Sequence, residues 1–338
     1  LTPVLMTVSK PTTCLVTGAS GFIGQRLCRR LQQDGCRVRV LLRREIEGPW
    51  DESCVCILGT DRVPADALAG VDTVYHLAGV VHARASTGVD AAHYHAVNVL
   101  ASEELAGRAV AARVKQFIYF SSVKAAAEPG DECVDESWQQ PPQDPYGLSK
   151  LEAERRLFAI ARETGIRLTV LRPALVYGAA VKGNLRRMLQ AIDSGRFPPL
   201  PDTANRRSMV CVDDLVDAAR LVADSPQAAG QVYIVSDDSP CSTRQLSDWM
   251  HAALGRKVPR WSIPMFVLRG GAVLGDLVEG VSGRPLSLSS DVLHKLLGSA
   301  CYRSDKLRQQ LGWQPRVQVR DCLPAMVGTY RAATSSSD

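Results

Sequence analysis

The hydrophobic pattern alternates between two periods along the first half of the chain. Cys14-Leu15-Val16 is a short apolar run, and behind it Ile23, Leu27 and Leu31 recur at four-residue spacing, the buried stripe of a helix. Between them lies Thr17-Gly18-Ala19-Ser20-Gly21-Phe22-Ile23-Gly24, so glycines stand where a strand turns into a helix that ends near Asp34-Gly35. Apolar runs over 37–42, 54–58, 71–77, 116–120 and 166–171 predict further strands. Helices are expected over 89–113 and 145–164, the second with Asp144 as N-cap and Pro145 as its first residue. Strand and helix in turn predict an α/β fold on a doubly wound parallel sheet. Past residue 178 the alternation loosens. Helices are expected over 183–193, 213–223 and 243–254 and after Ser304 and Asp321, with strands over 208–211 and 232–235. The expected division is a sheet domain over 11–178, with returns near 208–236, a smaller lobe over 179–332 and a frayed tail over 333–338.

Composition changes this picture little. The chain has 338 residues, 46% hydrophobic and 22% charged, which suits a globular protein with one large core or a main domain and a lobe. A formal charge of +5 with no long basic block fits a phosphate-bearing ligand and excludes a nucleic-acid signature. The roughly ten residues ahead of the first strand hold no recognisable secretory leader. The apolar stretch over 261–281 contains Arg269, Asp276 and Glu279, so it reads as a buried or partner-facing helix and not as a membrane span. Ten cysteines are scattered without a Cys-x-x-Cys pair. Cys14, Cys54 and Cys56 read as small buried hydrophobes, and a reducing cytoplasm is the expected compartment. His93 and His95 fall on different faces of a helix, and no metal site is expected.

A turn free of β-carbons lets a pyrophosphate approach the N–H groups at the positive end of a helix. Ligands of such sheets lie beyond the carboxyl ends of the strands, where the glycine turn, Ala78 and Ser122 all fall. Dinucleotide folds usually place a carboxylate after the second strand to bind the ribose 2′-hydroxyl. Here Leu42 is followed by Arg43 and Arg44, which favours a 2′-phosphate and NADP(H) over NAD(H); two solvated surface arginines are the other reading.

The Gly-x-x-Gly-x-x-Gly spacing resembles the extended class of the short-chain dehydrogenase/reductase superfamily. So do, in chain order, His76-Leu77-Ala78-Gly79, Ser121-Ser122-Val123-Lys124 and the Tyr146/Lys150 pair. The resemblance implies a Rossmann fold and cofactor contacts from Gly18, Ser20, Gly21, Phe22, Ile23 and Gly24 in the turn. It places Arg43 and Asp61 at the adenosine end, with Asp61 at the adenine, Leu77, Ala78 and Gly79 at the fourth strand's end, and Asn98 near the cofactor on the helix over 89–113. Tyr146, Lys150 and Pro173 come at the nicotinamide end, and His76 is a packed strand histidine instead of a catalyst.

A free tyrosine keeps its proton to a pKa of about 10. A neighbouring ammonium brings it toward working pH, so Tyr146 is the expected acid/base, tuned by Lys150, with Ser122 orienting the substrate oxygen. Ser121 is read as supporting the strand end.

The resemblance spans nearly the whole chain and narrows to the UDP-sugar-modifying branch that includes UDP-glucose 4-epimerase. Within that branch the chain resembles bacterial reductases of UDP-linked 4-keto-6-deoxy-N-acetylhexosamines, which serve surface-polysaccharide synthesis. Asp144-Pro145-Tyr146, Gly183-Asn184, the segment from Arg206 to Val216 and Leu311-Gly312-Trp313-Gln314-Pro315 carry it. It implies a nucleotide-sugar substrate, with Arg207 on the diphosphate, Asn184 near it, and Ser122 and Tyr146 at the sugar. It also implies a homodimer through the helices over 89–113 and 146–164. Related reductases carry Asn and Gly where this chain has Ala126 and Ala127. Dehydratases of the family place Asp-Glu after the hydroxyl residue, and here Val123-Lys124 follows Ser122. A UDP-sugar 4-epimerase, a reductase of other carbonyls, and a non-catalytic NADP-sensing or scaffold protein stand as alternatives; relatives of the last kind typically lose the Tyr/Lys pair.

Overall fold

The computed structural model describes residues 11–80, 91–126, 128–237, 239–282 and 289–335. The first half runs β1 (Thr13–Thr17), α1 (Phe22–Gln33), β2 (Arg37–Leu42), β3 (Glu52–Val55) and β4 (Thr73–His76). Then come α2 (Ala91–Tyr94), a π-helical turn (His95–Leu100), α3 (Ala101–Ala111), β5 (Gln116–Phe120), β6 (Cys133–Val134) and α4 (Pro145–Thr164). β7 (Arg167–Pro173), β8 (Leu175–Tyr177), α5 (Gly183–Asp193), β9 (Met209–Cys211), α6 (Val212–Asp224) and β10 (Gln231–Val235) follow. The chain ends with α7 (Thr243–Ala253), α8 (Met265–Ser282), α9 (Ser290–Leu297), β11 (Cys301–Tyr302), α10 (Asp305–Leu311) and α11 (Val319–Ser335).

Seven strands form one parallel sheet in the order β10-β7-β5-β4-β1-β2-β3. The strands alternate faces with period two, and both faces are covered. Cys14 and Val16 pack with Leu27 and Leu31 of α1 and Leu215 and Ala219 of α6, while Leu15 packs with Leu105 of α3 and Leu157 of α4. A third core joins α5, α7, α11 and the small β8–β9 sheet through Leu189, Met250, Leu323 and Tyr177. Because β2 lies on one side of β1 and β4 on the other, the order reverses beside β1, and a crevice opens at those strands' carboxyl ends.

Several local expectations shift. The third strand is β3 and not 54–58, because Glu52 pairs in register with Arg39 and forms ion pairs with Arg37 and Arg39. The apolar residues after Val55 enter a turn closed by Gly59 at φ 87°. The helix expected over 89–113 begins outside the described residues and is interrupted by the π turn. Of the returns expected near 208–236, β10 joins the main sheet beside β7, whereas β9 pairs with β8 in a separate small sheet. α11 continues through Ser335, so 333–335 are helical, and 336–338 lie outside the described residues. Cys14 and Cys56 are buried as expected and Cys54 is half-buried, but Cys133 and Cys301, which lie 168 residues apart in sequence, form a disulfide between β6 and β11. That separation leaves no local signal.

Candidate active site

The glycine turn is shaped by close packing. Gly18 has φ 71°, and a β-carbon there would sit 2.8 Å from the Ala78 nitrogen, so this residue joins β1 to the end of β4 only as glycine. A β-carbon on Gly24 would collide with the Gly18 carbonyl. Gly21 caps α1 without a side-chain bond, and the first turn holds no acid, so its N–H groups face the crevice with a positive helix end behind them. Ser20 is exposed there, and Phe22 packs toward Tyr177 and the third core.

Behind the turn lies a polar chain that sequence reading missed. The Thr17 hydroxyl and His76 Nδ1 are 2.6 Å apart, His76 Nε2 and the Ser102 hydroxyl are 2.8 Å apart, and Ala78 N–H donates to Thr17 Oγ1 at 3.1 Å. His76 is therefore a packed strand histidine. Burial, with the Lys150 ammonium adding to it, pushes its pKa down to about 3. The unfolded chain takes up this proton near pH 6.5, so the stability present above about pH 6.5 is lost as pH falls from there toward 3. Denaturant unfolding of wild type and His76→Gln at about pH 7 and about pH 5 measures this. The acid loss is expected to shrink in the variant, and an equal loss in both would assign it to other groups.

The π turn presents Asn98, which accepts from Val80 N–H at 2.8 Å and donates to the Val80 carbonyl at 3.1 Å and to Ser149 Oγ at 3.0 Å. A β-carbon on Gly79 would lie 3.0 Å from Asn98 Oδ1 and 4.0 Å from Lys150 Nζ, so Gly79, Asn98 and Lys150 converge. Leu77 N–H donates to the Thr17 carbonyl at 3.2 Å, seating the fourth strand's end against the turn.

α4 starts as expected: Asp144 accepts from Gly147 N–H at 3.0 Å and Pro145 is the first helical residue. This entry places Tyr146 and Lys150 one turn apart, both buried. Lys150 Nζ donates to the Phe120 carbonyl at 2.7 Å and sits 4.2 Å from the Tyr119 ring centroid. Burial brings its pKa down to about 7, opposed by Glu154 one turn further on. Burial pushes Tyr146 up to about 12, and a hydrogen bond with Ser122 pulls the other way. Ser122 is half-buried and accepts from Lys124 N–H at 3.2 Å, whereas the Ser121 hydroxyl is buried and has no protein partner. Tyr94 packs 6.0 Å from the Tyr146 ring.

The remaining candidates are placed as follows. Arg43 and Arg44 are exposed directly after β2. The Asp61 carboxylate turns back to accept from Ile57 N–H at 2.7 Å, so it closes its own turn past β3. Pro173 ends β7, where the next residue, Ala174, donates to the Val235 carbonyl at 3.0 Å. Arg207 donates to the Lys295 carbonyl at 2.6 Å and the Gly298 carbonyl at 3.3 Å, tying itself to the end of α9. Burial lowers the pKa of Lys124, which feels Asp144, Arg207, Lys295 and Asp291 and pairs with Glu128, so charges of both signs adjoin Ser122. Asn184 is exposed in the first turn of α5, and no contact among the described residues joins it to Arg207. Ala127 lies outside the described residues. No cluster of three metal-ligating side chains occurs among the described residues.

The uncapped start of α1 at the strand-order reversal, floored by glycines, fits the pyrophosphate of a dinucleotide. The match to known sequences agrees: residues 14–236 fit the model of the NAD dependent epimerase/dehydratase family. The chain belongs to that family. Membership makes it an enzyme of the oxidoreductase type, of the extended short-chain dehydrogenase/reductase kind. It is 30% identical over 316 residues to UDP-glucose 4-epimerase of Vibrio cholerae, covering 90% of this chain and 91% of that protein. It is 29% identical over 324 residues to the 4-hydroxy-2-methyl-3-oxo-4-farnesyl-3,4-dihydroquinoline-1-oxide ketoreductase of Stigmatella aurantiaca, covering 92% and 94%. The solved structure of MoeE5 in complex with UDP-glucose and NAD shares the fold at a TM-score of 0.77 and 23% identity, covering 95% of this chain and 99% of that one. No helix among the described residues is long and apolar enough to cross a membrane.

Proposed function

We propose that the chain reduces a 4-keto sugar carried on a nucleotide diphosphate, with UDP the favoured carrier and NADPH the favoured reductant. One arrangement carries this: Tyr146, hydrogen-bonded to Ser122 and kept protonated by burial, sits one turn from the buried Lys150, which is held on the Phe120 carbonyl. A protonated phenol is poised to donate, the state that carbonyl reduction needs. A reduced nicotinamide, when bound, supplies hydride to the carbonyl carbon. Ser122 holds the carbonyl oxygen and Tyr146 gives it a proton. Lys150, anchored on the Phe120 carbonyl, would hold the nicotinamide ribose and, in its charged form, favour the phenolate left behind.

In this reading the N–H groups from Gly21 to Gly24 hold the pyrophosphate, and Leu77, Ala78, Gly79, Asn98 and Pro173 line the nicotinamide half. Arg207, whose planar fork suits phosphate oxygens, contacts the substrate diphosphate. Arg43 takes the 2′-phosphate, since arginines directly follow β2.

Mixing the protein with a UDP-4-keto-6-deoxy sugar and either reduced cofactor tests both parts. NADPH is expected to be consumed stoichiometrically and to bind roughly 10- to 150-fold tighter than NADH, the worth of about 1.5–3 kcal/mol in a charge-assisted contact. Arg43→Ala should erase that margin. Equal affinities in the wild type would reject the arginine role. The 30% identity to an epimerase over most of the chain favours a second reading, C4 epimerisation of a UDP-sugar. Interconversion of UDP-hexose C4 epimers without net cofactor loss would establish it instead.

A further inference from the structure

The apolar stretch that reads as buried or partner-facing forms α8, and only one side of it meets the protein. Leu268 and Ala272 are buried against Leu200 and Leu293. Phe266, Val267, Val273, Leu274, Leu277 and Val278 are each between 47% and 77% exposed. At 100° per residue these six share one arc of about 140°, with Arg269 and Asp276 outside it. A continuous apolar face of this kind differs from scattered exposed residues and marks a docking surface.

We propose that this face lies on the surface of a lipid bilayer bearing anionic headgroups. Charge selects that occupant. Between Trp249 and Gly275 the chain has four basic residues, Arg256, Lys257, Arg260 and Arg269, and no acidic one; Arg256 pairs with Asp193 at 2.9 Å, which leaves Lys257, Arg260 and Arg269 to carry the charge. All four are exposed. The first acid beyond them, Asp276, is turned onto Ser290, where it accepts from the N–H at 2.9 Å. Trp261, 65% exposed, stands just ahead of the helix, where an amphipathic indole favours the headgroup level, and Phe266 extends the apolar arc to the helix start. A one-sided apolar arc with basic residues and aromatics at its border is the pattern of a helix lying in the membrane plane, and no helix among the described residues, α8 included, is long and apolar enough to span. A two-fold pairing of the same face would set these cations against their own copies.

Sedimentation of the full chain with vesicles tests the proposal. Binding to phosphatidylcholine vesicles containing phosphatidylglycerol is expected, weaker without phosphatidylglycerol and weakened by salt. Leu274→Ser with Leu277→Ser, on the apolar arc, and Lys257→Glu with Arg260→Glu, beside it, should each lower partitioning about tenfold or more. Their thermal unfolding should match wild type, because all four residues are exposed. Wild type remaining in the supernatant, or both variants partitioning like wild type, would overturn the proposal. So would a lower particle mass by light scattering in the leucine variant without any vesicle binding by the wild type, which would make the face a contact between copies.

Discussion

Replacing Tyr146 with phenylalanine is expected to leave a folded protein that binds its cofactor and turns over roughly 10²–10⁴-fold more slowly, the usual worth of a positioned acid–base group. The ring is what the fold needs: it is buried at 7% exposure and packs beside Tyr94. The hydroxyl is what the proposed chemistry needs, and its partner here is Ser122. Removing it deprives Ser122 of that bond but leaves Lys150 on the Phe120 carbonyl, so the cofactor side of the site is undisturbed. Steady-state kinetics with a cofactor titration separate the two effects. A variant that turns over within a few-fold of wild type would take Tyr146 out of the proton transfer. One that loses cofactor binding as well would show the phenol to be structural.

The parts of this site legible in the sequence are those fixed within a few residues. The β1–α1 turn announces itself because an apolar strand, three glycines and a helical stripe fall within about twenty residues. The α4 entry does so because Asp144 and Pro145 are local helix-start signals, and one turn of helix then dictates the Tyr146/Lys150 spacing. What stays hidden depends on distant partners. Nothing near Arg207 shows that its guanidinium will cap α9, some ninety residues on. A return of later chain to the sheet is expected near 208–236, but that β10 lies beside β7, with Gln231 opposite Thr169, is set by the distant pairing itself. The π turn at Asn98 inserts into an otherwise regular helix and aims one amide at Val80 and Ser149 together, a geometry that periodicity does not encode. The bond by which one Asp61 carboxylate oxygen accepts from Ile57 N–H is equally unannounced.

The site also rests on a buried ion pair, and breaking it should produce the largest stability change. Arg172 donates to Glu154 through two bonds, at 3.0 Å and 2.6 Å, with both side chains almost fully buried. The pair ties α4 to the end of β7, so it fixes the helix carrying Lys150 against the strand that ends in Pro173. Arg172→Leu leaves the carboxylate buried without its cation, at an expected cost of about 3–5 kcal/mol. Replacing both residues by leucine removes the stranded charge, so the double variant should recover most of that loss. Glu154 also holds up the Lys150 pKa against burial, and removing the carboxylate should lower it further. The double variant is therefore expected to regain stability while its activity falls at a lower pH than in wild type. Urea unfolding and a pH–rate profile on the same three proteins check both halves. A single variant costing under about 1 kcal/mol would mean that water or another cation reaches Glu154, and the pair would then not be what positions α4.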